Sequence, residues 1–117
     1  MNAVAYTVAV EFKDPSLAAE WLRWLRGGHI ADVLAGGATS AEIVQMDGAI
    51  SSFEVRYHFP SRETFAAYER EHAPRLRAEG LQLFPPEKGV SYRRTVGVIL
   101  TSFPVSSDAR ETASEEV

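Results

Sequence analysis

Residues 3–12 read AVAYTVAVEF and run straight into Asp14-Pro15. Large residues (Val4, Tyr6, Val8, Val10, Phe12) alternate with small ones (Ala3, Ala5, Thr7, Ala9). Period two with β-branched and aromatic side chains marks a strand, and apolar character on both sides marks an inner one. Asp14 then offers an N-cap and Pro15 a first-turn proline. Leu17, Trp21, Leu22, Trp24 and Leu25 follow at helical spacing until Gly27-Gly28. A short second helical turn, His29 to Ala35, ends at Gly36-Gly37.

Working outward, residues 39–47 and 50–59 read as a strand pair joined around Asp47-Gly48, a hairpin signal. Ser61 caps a second helix carrying Phe65, Tyr68 and Leu76, broken by Pro74 just after His72. Gly80 is read as its end, LQLFPPEKG as a loop, and residues 89–103 as a long last strand. The predicted class is α+β, β-α-β-β-α-β, the ferredoxin-like order: a four-stranded antiparallel sheet with two helices on one face. Its halves overlay. HIADVLAGG (29–37) and HAPRLRAEG (72–80) share a histidine, an apolar fifth residue (Val33, Leu76), an alanine and a glycine.

Composition allows one such body. At 117 residues with 45% hydrophobic content, the chain supports a single packed core. Residues 1–103 form the expected domain, and 104–117 an acidic tail expected to be disordered. That tail holds Asp108, Glu111, Glu115 and Glu116 against Arg110, so it carries most of the net charge of −4. The body is nearly neutral, which argues against nucleic acid as a partner. An RNA-recognition domain shares the strand order but needs a basic-Gly lead and exposed aromatics on its third strand, and ISSFEVRYHF lacks them. The chain has no cysteine, so disulfides and thiolate metal sites are excluded. No apolar run approaches the ~20 residues of a membrane span. Met1 to Val10 shows no signal-peptide pattern, and a cytoplasmic location is expected.

Two helices can cover only one face of a four-stranded sheet. On the third strand Phe53, Val55, Tyr57 and Phe59 face the helices, while Glu54, Arg56 and His58 face away. The bare face therefore mixes small residues with charges, which suits a lined cavity closed by a second copy. The length of the last strand adds an overhang that can reach that copy. A homodimer with a cavity against each sheet is expected.

EWLRWLRGGHIADVLAGG, with YEREHAPRLRAEG and FPPEKGVSYRR, resembles a bacterial family catalogued as a domain of unknown function. Its members pair a Trp-rich first helix and H-I-x-x-V-L-x-x-G with H-A-P-x-L-R and a closing aromatic-Arg strand. The likeness spans nearly all of residues 4–100 and sits within the dimeric α/β-barrel superfamily, in which two ferredoxin-like sheets pack face to face. It implies the fold and a homodimer, and no established activity. Gly27-Gly28, where the family leads one to expect charge, and the tail after Pro104 depart from the pattern.

Two constellations carry candidate chemistry. His29 and His72, at the starts of matching segments, can face a cavity as general bases or donors, with His58 as a third candidate catalytic residue. The alternative is that each imidazole bonds nearby backbone and shapes a helix break. Glu54 and Arg56, joined by Arg93 from the last strand, form a candidate ligand-binding group for an acidic small molecule; the alternative is a solvated or dimer-interface face. Arg94 points the other way from Arg93. Trp21 and Trp24 read as core or interface anchors. Histidines scattered at 29, 58 and 72 give no metal-ligand spacing. Related barrels hold haem on one histidine, but nothing here asks for it or for another cofactor. Two functions compete: a cofactor-independent enzyme acting on a small organic molecule (an oxygenase, cyclase or isomerase), by analogy with the superfamily, and a non-catalytic dimeric ligand-binding or scaffold module.

Overall fold

The computed structural model describes residues 2–48 and 51–103. Its elements are β1 (Val4–Phe12), α1 (Pro15–Trp24), a wide turn (Leu25–His29), α2 (Ile30–Ala35), β2 (Ser40–Gln45), β3 (Ser51–Phe59), α3 (Arg62–Glu71), α4 (Ala73–Leu83), a 3-10 turn (Pro86–Lys88) and β4 (Val90–Val98). The sheet runs β2-β3-β1-β4 with every pair antiparallel, so the strand with two apolar sides is indeed internal. This is the ferredoxin-like architecture.

The caps work as their chemistry requires. The Asp14 carboxylate accepts from the Ser16 N–H at 2.9 Å, and Pro15 opens α1. The Ser61 hydroxyl accepts from the Thr64 N–H at 3.0 Å and opens α3. Pro74 forces the break between α3 and α4, leaving His72 at φ −123°. At the matching place in the first half, Gly28 leaves helical geometry (φ 158°, ψ −26°) and the chain re-enters a helix at Ile30. Thus both halves carry a pair of helices, the second beginning just after a histidine. Val33 and Leu76, the matched fifth positions, are each buried at 1% exposure.

One parity of each strand packs on the helices. Val4, Tyr6, Val10 and Phe12 from β1 and Phe53, Val55, Tyr57 and Phe59 from β3 join Trp21, Leu25, Tyr68 and Leu76 in a single core. Aromatic rings dominate it, with Phe12, Trp21 and Phe53 in mutual contact and Tyr6 against Tyr57, Phe65 and Tyr68. None of the described charged or polar residues is buried.

Three sequence expectations need correcting. Gly80 does not end a helix but lies inside α4, where its missing side chain makes room: a Cβ there would sit 3.2 Å from Cη2 of Trp24. Accordingly Leu81–Leu83, read as loop, is the last turn of α4. The last strand spans nine residues rather than fifteen. The Ile99 N–H still donates to the Ala3 carbonyl at 2.8 Å, but Leu100 and Phe103 stand 84% exposed, so the overhang is not strand. The acidic tail, 104–117, lies outside the described residues.

Candidate active site beneath the helices

In a sheet face packed on helices, the middle of the central strand should be the driest position. Here Tyr6 and Val10 are buried at 3% and 1% exposure, yet Val8 between them is only partly covered. The reason is a narrow cavity of about 540 Å³, open mouth included, of which about 50 Å³ admits the centre of a water molecule. Its floor is the sheet (Tyr6, Val8, Val10, Val55, Tyr57, Tyr92, Arg94) and its roof is α1, α3 and α4 with His29 from the wide turn. In the register Val8 lies between Val55 and Arg94. Only β4, an edge strand, brings a charged side chain to that row of the apolar face.

The lining is aromatic with a few polar groups. His29 stacks on Trp24, ring centroids 4.1 Å apart. Burial pushes its pKa down to about 4 against a weaker upward pull from Asp32, so the ring is neutral at neutral pH. Beyond this stack, Trp24, Gly27, Gly28, His29, Asp32 and Glu79 line an outer depression, so the Trp24–His29 pair is a wall with space on either side. Arg77 donates to the Tyr6 hydroxyl at 3.1 Å and pairs with Glu69. The Tyr92 hydroxyl donates to the Phe84 carbonyl at 2.7 Å. Burial, reinforced by neighbouring tyrosines, pushes Tyr68 up to about 12 and Tyr57 higher still, so both phenols stay protonated as donors. Arg94 lies 5.8 Å from the Tyr92 ring centroid. No carboxylate lines the cavity.

Two side-chain atoms among the described residues are buried with no hydrogen-bond partner, His29 Nδ1 and Arg77 Nε. Both belong to residues of this lining. Since buried polar atoms are seldom left unpaired, such a pair marks where a bound molecule or ordered water has something to satisfy.

The structure divides the residues singled out by sequence. Of the three histidines, His29 alone lines the cavity. His72 sits at the α3–α4 break, stacked on Tyr68 at 15° between ring planes and packed over Gly36. His58, Glu54, Arg56 and Arg93 share the opposite, bare face. There Arg56 holds Glu54 at 2.9 Å and reaches Glu42 at 3.9 Å, and His58 Nδ1 lies 3.1 Å from the Thr39 hydroxyl. Ala9 separates Glu54 from Arg93 in the register, placing their strands about 10 Å apart. Around Arg93 on this face there is an open depression lined by Ala9, Glu11, Ser91 and Tyr92. The cavity expected against the bare face needs a second copy to close it; the one described here is a separate space, between the sheet and the helices.

What sequence reasoning passed over is the tyrosines, Arg77 and Arg94. The available signal was Arg94 itself: a guanidinium on the parity of Val90 and Tyr92, a face otherwise meant for helices.

No group of three His, Asp or Glu that could hold a metal ion occurs among the described residues. No described helix is long and apolar enough to cross a membrane.

Solved structures share this fold at low sequence identity. A dimeric ferredoxin-like protein from an uncultured marine organism aligns at TM-score 0.67 and 10% identity, covering 88% of this chain and 100% of its own. A protein of unknown function from Nitrosomonas europaea aligns at 0.63 and 15%, covering 92% and 98%. A monooxygenase from the gene ActVA-Orf6 of Streptomyces coelicolor, in complex with the ligand nanaomycin D, aligns at 0.67 and 12%, covering 90% and 94%. No curated protein matches the chain. A family model does, over residues 3–99, and by that match the chain belongs to the Domain of unknown function (DUF4286) family.

Proposed function

We propose that this protein binds, and transforms, a small organic molecule in the cavity between its sheet and its helices, and that it does so as a homodimer packed through the bare sheet faces. The observation that carries the reading is the coincidence of one apolar, aromatic-walled cavity with both orphaned polar atoms, His29 Nδ1 and Arg77 Nε. His29 is the group suited to take or relay a proton, Tyr57 and Tyr68 to donate hydrogen bonds, and the aromatic walls to hold a ring. Support of a broader kind comes from the monooxygenase of the same fold, which holds nanaomycin D. The dimer is supported by the bare face itself, small along β1 and charged along β3, and by the dimeric protein of like fold. Glu54, Arg56, His58 and Arg93 then serve at the interface between copies, and the cofactor-independent reading expected from the sequence is retained.

Native mass spectrometry of freshly purified protein tests both halves. Two protomers are expected, each carrying a small-molecule mass. Thr7→Arg sets a second cation beside Arg56 in the middle of the bare face, where like charges repel. It is expected to yield a folded monomer that keeps its bound mass, because the cavity lies within one protomer. A ligand lost together with the dimer contradicts the placement of the site, and a bare monomer contradicts the proposal entirely.

A further inference from the structure

The cavity's charge is one-sided. Its lining holds two guanidinium groups and no carboxylate. Arg77 is balanced by Glu69. Arg94 joins no salt bridge among the described residues, although it stands at the mouth with its guanidinium near the Tyr92 ring. Its charge also reaches inward: burial raises the pKa of both Tyr68 and Tyr92, and Arg94 acts on both in the opposite direction. On the bare face Arg56 has its acid beside it at 2.9 Å, while Arg93, like Arg94 in none of the salt bridges of the described residues, borders only an open depression and no aromatic slot. An exposed guanidinium with no acid partner among the described residues, set beside an aromatic slot, is free to receive an anion.

We infer that the molecule bound in this cavity is a planar aromatic acid, its ring against Trp24 and the tyrosines and its carboxylate or phenolate on Arg94. This rests on the proposed binding role of the cavity and names its ligand class. A flat ring suits this small space because Tyr6, Trp24, Tyr57, Tyr68 and Tyr92 all line it. The anion follows from the guanidinium fork, which takes a carboxylate through two parallel hydrogen bonds. The sheet is what makes the choice of arginine: the neighbouring Arg93 has the opposite parity and cannot reach the cavity.

Isothermal titration calorimetry with three probes of one shape separates the class from the site: 2-naphthoate, 2-naphthalenemethanol and 2-naphthylmethylammonium. Naphthoate is expected to bind about tenfold more tightly than the alcohol, as a charge-assisted contact of ordinary strength gives, and the ammonium most weakly. Arg94→Gln, an exposed substitution, brings naphthoate level with the alcohol, while Arg93→Gln leaves the order intact. Equal binding of naphthoate and alcohol by the unaltered protein overturns the acid and leaves the cavity reading standing. A preference that survives Arg94→Gln but is lost with Arg93→Gln overturns the assignment and moves the site to the bare face. Failure of all three probes at millimolar concentration overturns the class and the cavity together.

Discussion

His29 and His72 occupy matched places in two matched segments, yet their surroundings give them different work. His29 is held against Trp24 with burial lowering its pKa from 6.5 to about 4. The unfolded chain therefore takes up a proton at higher pH than the folded one. Stability from this group is fully present above pH 6.5 and is lost as pH falls towards 4, by about 1–2 kcal/mol after allowance for its partial exposure. In His29→Phe the thermal midpoint should change less between pH 6.5 and 4 than in the unaltered protein. An NMR titration should find the His29 ring signals moving near pH 4; movement near 6.5 would show a wetted ring. His72, stacked on Tyr68 away from the cavity lining, should lose stability on replacement by alanine and keep ligand binding. The sequence could rank both histidines only by position. Which one meets the cavity depends on Gly28 and Pro74 breaking their helices differently, a tertiary matter.

Elements were legible where local chemistry decides them. Alternation in β1 and β3, the Asp14-Pro15 and Ser61 starts, and the Pro74 break all stand in the structure as the residues dictate. Glycine was ambiguous because it both ends helices and admits neighbours, and at Gly80 the second role wins through Trp24, more than fifty positions away. Gly36 shows the same logic where α2 meets the α3–α4 break. A Cβ there would lie 2.9 Å from Cδ1 of Tyr68 and 3.1 Å from Cγ of His72. Tyr68 is held in the core and His72 is stacked on it, so Gly36→Ala should cost about 1–3 kcal/mol, the usual range for overpacking, read from chemical denaturation. A neutral result would mean that the two helix pairs are not pressed together as described. The last strand is shorter than its composition suggests: residues 99–103 stay largely apolar, but among the described residues the Ile99–Ala3 bond is the one backbone hydrogen bond that continues the ladder past Val98.

At the scale of the whole molecule, the sheet has two faces with separate duties. One meets the helices and retains an unfilled slot over Val8; the other carries small residues and paired charges, fit for a second copy. Parity fixed which residues share a face, and that much could be read from the sequence. The gap under the helices could not, since it arises from how ring volumes in Trp24, Tyr57, Tyr68 and Tyr92 fail to fill the space between layers. Chemical-shift mapping of the ¹⁵N-labelled protein with 2-naphthoate tests this division most directly. The perturbed amides and indole N–H signals are expected to cluster at Trp24, His29, Leu76–Leu81 and Arg94. Perturbation concentrated instead at Thr7, Glu54, Arg56 and Arg93 would contradict it.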